Sequence, residues 1–142
     1  MSHDHHLREL LASSSLGVLA TLRSNGRPQL SPVQPTYDRR NDVILISTED
    51  GFAKTHNLRR DPRAALEVTS EDGRAWATAE GVVTLHGPGT AHDDPAVEAL
   101  VNYYRTAAGE HPDWDEYRQV MVADRRVLIE LHIDHIYGDK IV

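Results

Sequence analysis

Lys54, Asn57 and Leu58 stand at i, i+3 and i+4, the spacing that places side chains on one face of a helix. Just before them the run Val43-Ile44-Leu45-Ile46 has the composition of a buried strand, and it ends in two hydroxyls, Ser47 and Thr48. Just after them Pro62 stops the helix, because the residue before a proline avoids the helical region. Asp50 is placed to cap its start. A strand that delivers hydroxyls to the free N–H groups and positive dipole end of a helix, with a lysine in the first turn, has the chemistry of a phosphate site. The same stretch also reads as a crossover helix with a basic, solvated face. It lacks the glycine-rich pattern of the familiar phosphate loops.

The elements around this stretch are mostly strands. His5 to Ala12 reads as a short amphipathic helix with Leu7, Leu10 and Leu11 on one side. Val18, Ala20 and Leu22 alternate with Leu19, Thr21 and Arg23, and Asn25-Gly26 signals a hairpin. The return strand, Arg27 to Tyr37, carries Pro28, Pro32 and Pro35, which make it an edge strand or a bent one. Arg63 to Ser70 follows the helix as a further strand. Ala75 to His86 alternates, with Ala75, Ala77, Ala79 and Gly81 forming a face small enough for a backbone or a flat ring to approach. Trp76 stands on the opposite face, where core packing, subunit packing and contact with a cofactor are all open. Helices are predicted after Asp94-Pro95 and near Asp113. The last strand runs from Arg126 to Tyr137, with Val127, Ile129, Leu131, Ile133, His135 and Tyr137 on one face. His132 and His135 then fall on opposite faces and share no metal unless a bulge intervenes. About six strands in meander order, a helix between the third and fourth, and two helices before the last favour an antiparallel barrel over a doubly wound sheet.

Bulk properties exclude several classes of function. A chain of 142 residues is one domain's length, so residues 1–142 are expected to form a single unit. A formal charge of −7 argues against general nucleic-acid binding but leaves room for a local basic pocket. There is no cysteine, hence no disulfide and no thiolate metal site. No apolar run approaches the roughly 20 residues of a membrane span. Met1 to His6 is too polar for a signal peptide, so the expected compartment is the cytoplasm. Neither a Gly-x-Ser-x-Gly elbow nor a His-Glu-x-x-His motif is present. A chain with no self-sufficient catalytic set fits an enzyme whose hard step belongs to a cofactor, and no catalytic residue is assigned.

Lys54-x-x-Asn57-Leu58-Arg59-Arg60-Asp61-Pro62-Arg63-Ala64 resembles the Lys-x-x-Asn-Leu/Ile-x-x-Asp/Asn-Pro-x-Ala/Val signature of the pyridoxamine 5′-phosphate oxidase-like split-barrel flavoproteins. Gly17 to Thr21 with Gly26 to Val33 resembles that family's first hairpin. Ala79-Glu80-Gly81 resembles a later strand, and Asp124 to Ile129 with Tyr137-Gly138 resembles the closing one. Within the superfamily the chain looks closest to the actinobacterial reductases that use the deazaflavin coenzyme F420. Many relatives carry an arginine two residues before the signature lysine, where this chain has Phe52, so the second phosphate cation is missing from that position.

The resemblance implies a mainly β protein with peripheral helices, a six-stranded antiparallel split barrel like that of FMN-binding proteins. It also implies a homodimer with cofactor sites at the interface. From the residues and the resemblance together, the candidate cofactor-binding residues are Ser31, Pro32, Val33, Gln34, Ile46, Ser47, Thr48, Lys54, Asn57, Arg60 and Trp76, with a structural role the alternative for Asn57 and packing the alternative for Trp76. The expected activity is hydride transfer from reduced coenzyme F420 to a small conjugated acceptor. The alternatives are an FMN-dependent oxidase or reductase, and a flavin- or haem-binding or storage module without turnover. Arg59, Arg60 and Arg63 extend positive charge beyond the lysine, which suits the acidic tail of the deazaflavin; they can equally pair with nearby acids such as Asp61 and Glu67.

Overall fold

Val43–Glu49 is apolar along its whole first half because both of its faces are covered. The computed structural model describes residues 2–141. In it Ile44 and Ile46 point into one hydrophobic cluster and Val43 and Leu45 into another. Each of the four is at most 7% exposed, which removes the alternation expected of a half-buried strand.

In chain order the elements are α1 (His3–Ser13), β1 (Gly17–Leu22), β2 (Pro28–Val33), β3 (Thr36–Asp38), β4 (Val43–Glu49), α2 (Ala53–Arg60), β5 (Arg63–Thr69), β6 (Ala75–His86), α3 (Pro95–Ala108), α4 (Trp114–Ala123) and β7 (Arg126–Lys140). The strands form one antiparallel sheet in the order β2-β1-β5-β6-β7-β4-β3. Its two outermost strands, β2 and β3, are consecutive in the chain and separated only by Gln34 and Pro35. A link that short requires the sheet to curl until its ends meet. The sheet is therefore a barrel, the split-barrel architecture expected from the sequence. It has seven strands rather than six because the stretch expected to be one bent strand is divided in two at Pro35, which has no N–H for a ladder.

The barrel interior holds Leu19, Leu66, Val68, Ala77, Ala79 and Ile129, with Leu7 and Leu11 of α1 and Leu58 of α2 packed into it. Arg8 of α1 fixes that helix to the β3–β4 turn through a two-bond pair with Asp42, at 2.9 and 3.0 Å. The second cluster lies between the barrel wall and the α3–α4 pair, around Leu100, Val101, Tyr117 and Leu128.

The inner and outer faces of β7 depart from strict alternation. Glu80 pairs with His135 but Gly81 pairs with Ile133, so Asp134 bulges out of register. The bulge shifts the phase by one residue. Ile136 replaces His135 on the core side, while His135 and Tyr137 turn outward and stack at 5.5 Å. Gly81 is required there, since a Cβ would lie 1.7 Å from the His132 carbonyl oxygen. Among the described residues no group of three or more His, Cys, Asp or Glu side chains is arranged to hold a metal. Among them too, no helix is long and apolar enough to cross a membrane.

Candidate functional site

The loop between β4 and α2 sets the positions of the charged groups. Asp50 does not cap the helix; the N-cap is Phe52, which makes no side-chain cap bond. The Asp50 carboxylate instead pairs with Arg59 on α2 and, at 3.0 Å, with Arg125 just before β7. Those two guanidinium groups hold it below the ordinary aspartate range, with Arg125 the larger influence. The Asp50 amide also donates to the Arg125 carbonyl at 3.0 Å. Arg125 adopts a left-handed backbone (φ 51), which turns the chain sharply into β7 and delivers Arg126 to the strand's first position. Asp50, just ahead of α2, thus ties the last turn of that helix to the start of β7, which carries Arg126; Lys54 stands at the start of α2.

Between these starts lies a cleft of about 290 Å³. Ile46, Ser47 and Thr48 of β4 form its floor; Pro32, Val33 and Gln34 come from the end of β2 and the following link. Lys54, Arg126, Phe52, Leu16 and Tyr103 complete the lining. No Asp, Glu or His lines it, although acids outnumber bases in the chain, 22 to 15. Arg126 reaches Ser47 through Nη2 at 3.0 Å and Nε at 3.2 Å, and Glu49 at 3.5 Å. Lys54 Nζ lies 5.1 Å from the centre of the Phe52 ring. Burial alone pulls the Lys54 ammonium below the ordinary lysine range; no carboxylate offsets it. Burial likewise raises the Tyr103 phenol, which stays a neutral hydrogen-bond donor near pH 7.

Pro32, Val33, Gln34, Ile46, Ser47, Thr48 and Lys54 therefore come together from three separate elements. The other sequence-predicted site residues lie elsewhere in this chain. Asn57 is buried under the barrel wall, donating to Thr21 Oγ1 at 3.1 Å and Gln29 Oε1 at 2.7 Å. Arg60 donates to the Leu22 carbonyl at 2.7 Å and to Asn57 Oδ1 at 3.1 Å. Trp76 packs edge-on against Tyr137 at 5.7 Å and lines a groove beside α1. Ser31 follows Gln29 by two residues and shares its inward face; its hydroxyl is the one buried side-chain polar atom without a partner among the described residues.

Arg126 and Tyr103 escape the sequence reading. Arg126 reaches the cleft because β7 pairs with β4, a neighbour relation across more than 75 residues that no local pattern carries. Tyr103 lies one residue from the stripe expected on α3, Val97-Leu100-Val101-Tyr104.

Residues 3–139 match the family described as pyridoxamine 5′-phosphate oxidase. The chain belongs to that family. Its fold is similar to that of a conserved hypothetical protein from Mycobacterium tuberculosis, with 24% identity, 99% of this chain and 85% of that one covered, and a TM-score of 0.74. A solved F420 reductase shares 22% identity over 92% of this chain and 94% of its own, with a TM-score of 0.64. The haem storage protein of Vibrio cholerae shares 15% identity over 99% and 96%, with a TM-score of 0.66. At these identities the likeness is one of fold.

Proposed function

We propose that this protein is an oxidoreductase that takes a hydride from reduced coenzyme F420 and passes it to a small conjugated acceptor. The observation that carries this reading is the acid-free cleft lined together by a partly desolvated lysine and by Ser47 and Thr48. A half-buried ammonium that pairs with no carboxylate is a ready partner for an anion. The donor set fits a phosphate, and the apolar flank of Pro32, Val33 and Ile46 fits the flat body of a flavin-type ring. The coenzyme supplies the hydride; Lys54, Ser47 and Thr48 would hold its phosphate, and Val33 and Ile46 would keep water from the ring. The F420 reductase that shares the fold supports this choice of cofactor.

FMN is the second reading, and a specific observation favours it. Arg59 is paired with Asp50, and Arg63 holds Asp61 at 2.7 Å. The basic extension that would meet an acidic coenzyme tail is thus engaged locally.

The test is fluorescence titration of the purified protein with both cofactors, followed by absorbance of reduced coenzyme F420 on addition of an acceptor. Tighter binding of coenzyme F420 and acceptor-dependent oxidation are expected. Tighter FMN binding at every salt concentration moves the assignment to FMN, and binding without turnover makes the protein a carrier.

A homodimer is part of the same reading. The outward face of β1, β2 and β6 exposes Val18, Leu30 and Val82, at 37%, 64% and 44%. A groove of about 460 Å³ across it carries both Arg63 and Glu80, a self-complementary pair for a two-fold contact. Light scattering at micromolar concentration is expected to give twice the chain mass.

A further inference from the structure

We infer that Arg126 is the second cation of the anion site, taking the part of the arginine that relatives place two residues before the signature lysine. This rests on the cofactor reading above and adds to it a residue that neither motif nor spacing marks.

Position 52 cannot serve, because its side chain is a phenyl ring. The ring nonetheless lines the cleft and lies beneath the Lys54 ammonium. Arg126 lines the same cleft, and its geometry is that of a prepared group rather than a loose surface arginine. Nε and Nη2 converge on one acceptor, Ser47 Oγ, so the plane of the guanidinium is set by β4 itself. Its one acidic contact, Glu49 through Nη1, is long at 3.5 Å and lies outside the cleft lining. Further guanidinium N–H groups remain for a ligand, since the group carries five. Ser47 accepts both bonds from Arg126 and keeps its own O–H to donate. Arg126, Ser47 and Lys54 then act as one donor set from β7, β4 and α2. A planar guanidinium suits a phosphate better than a second lysine would, because it can bond two oxygens at once.

The arrangement also explains how the site tolerates Phe52. The two cations are brought to one cleft by Asp50, which bonds the residue next to Arg126 and the helix that bears Lys54.

The experiment compares Kd for FMN and coenzyme F420 with Kd for riboflavin and the phosphate-free deazaflavin chromophore, in the wild type, Arg126→Gln and Arg126→Gln/Phe52→Arg. Arg126→Gln is expected to weaken the phosphorylated forms about 10- to 100-fold and leave the phosphate-free forms within about twofold. Adding Phe52→Arg is expected to recover most of that loss. Equal weakening of both forms, or no weakening, overturns the assignment. If Arg126→Gln lowers the melting temperature, Arg126→Lys serves instead, with an intermediate phosphate-specific loss expected and none overturning it. If the wild type binds none of the four compounds, the cofactor reading itself falls and Arg126 falls with it; that result is distinct from a wild type that binds while the variant is unaffected.

Discussion

The two ends of α2 are built from similar residues and do opposite things. At its C-terminal end every polar group has a protein partner: Asn57 bonds Thr21 and Gln29, and Arg60 bonds Asn57 and the Leu22 carbonyl. At its N-terminal end the cap has no side-chain bond and Lys54 is desolvated without a counter-charge. Only Thr55 is satisfied there, donating to the Glu49 carbonyl at 2.8 Å. Saturated polar groups hold structure; unsaturated ones hold free energy available to a ligand. The signature residues Lys54 and Asn57 are three apart in sequence and look alike on a helical wheel, yet they belong to these two different categories.

The contrast can be broken most forcefully at the saturated end. Asn57→Ala leaves Gln29 and Thr21 without their donor in a buried setting, and a loss of about 2 kcal/mol in urea unfolding is expected. Its effect on cofactor affinity should follow that loss of stability and be the same for phosphorylated and phosphate-free ligands. A stable Asn57→Ala protein that has lost only phosphate affinity would erase the distinction between the two ends.

At the unsaturated end the signs reverse. Lys54→Ala removes a half-buried cation that pairs with no carboxylate, so unfolding free energy should stay about level, while cofactor affinity falls about 10- to 100-fold. Titration sharpens this. Burial makes the Lys54 proton easier to lose in the free protein, and the phosphate needs that proton in place. Affinity is therefore full at neutral pH and should decline on the alkaline side from below the ordinary lysine range. Lys54→Arg, which keeps its charge throughout, should flatten that decline in a pH series of Kd values.

The smallest effect is expected at Arg59, which lies in the last turn of α2 but reaches back to Asp50 ahead of the helix. Its pair with Asp50 is half-exposed, and Arg59→Gln should change stability by less than about 1 kcal/mol. A several-fold, salt-sensitive loss of coenzyme F420 affinity without a matching loss for FMN would show that Arg59 leaves Asp50 to meet the coenzyme tail.

Much of this was legible in the chain. Alternation in Val18 to Leu22 and the unbroken run Val43 to Ile46 announce a surface-facing and a doubly buried strand. The proline-rich return strand announces its own bend, though not that Pro35 would split it. The signature around Lys54 locates the cleft. What local reading cannot see is partner choice. The sequence offers Asp50 as a helix cap, but two arginines, one of them 75 residues away, take it instead, each bringing a full opposite charge where a cap offers only neutral backbone amides. The same holds for β7: alternation continues past Ile133 in the sequence, and only the close approach to Gly81 and the bulge at Asp134 reveal that it breaks.

The two-residue link between β2 and β3 gives the cleft a mechanical role. Gln34 belongs to the link itself, and Pro32 and Val33 end one outermost strand; Ile46 to Thr48 belong to the strand beside the other. A bound molecule would therefore straddle the seam where the sheet meets itself and act as a clasp across it. Amides near that seam, in β2 and β3, should exchange hydrogen fastest among the strands of the empty protein and slow the most when the cleft is filled.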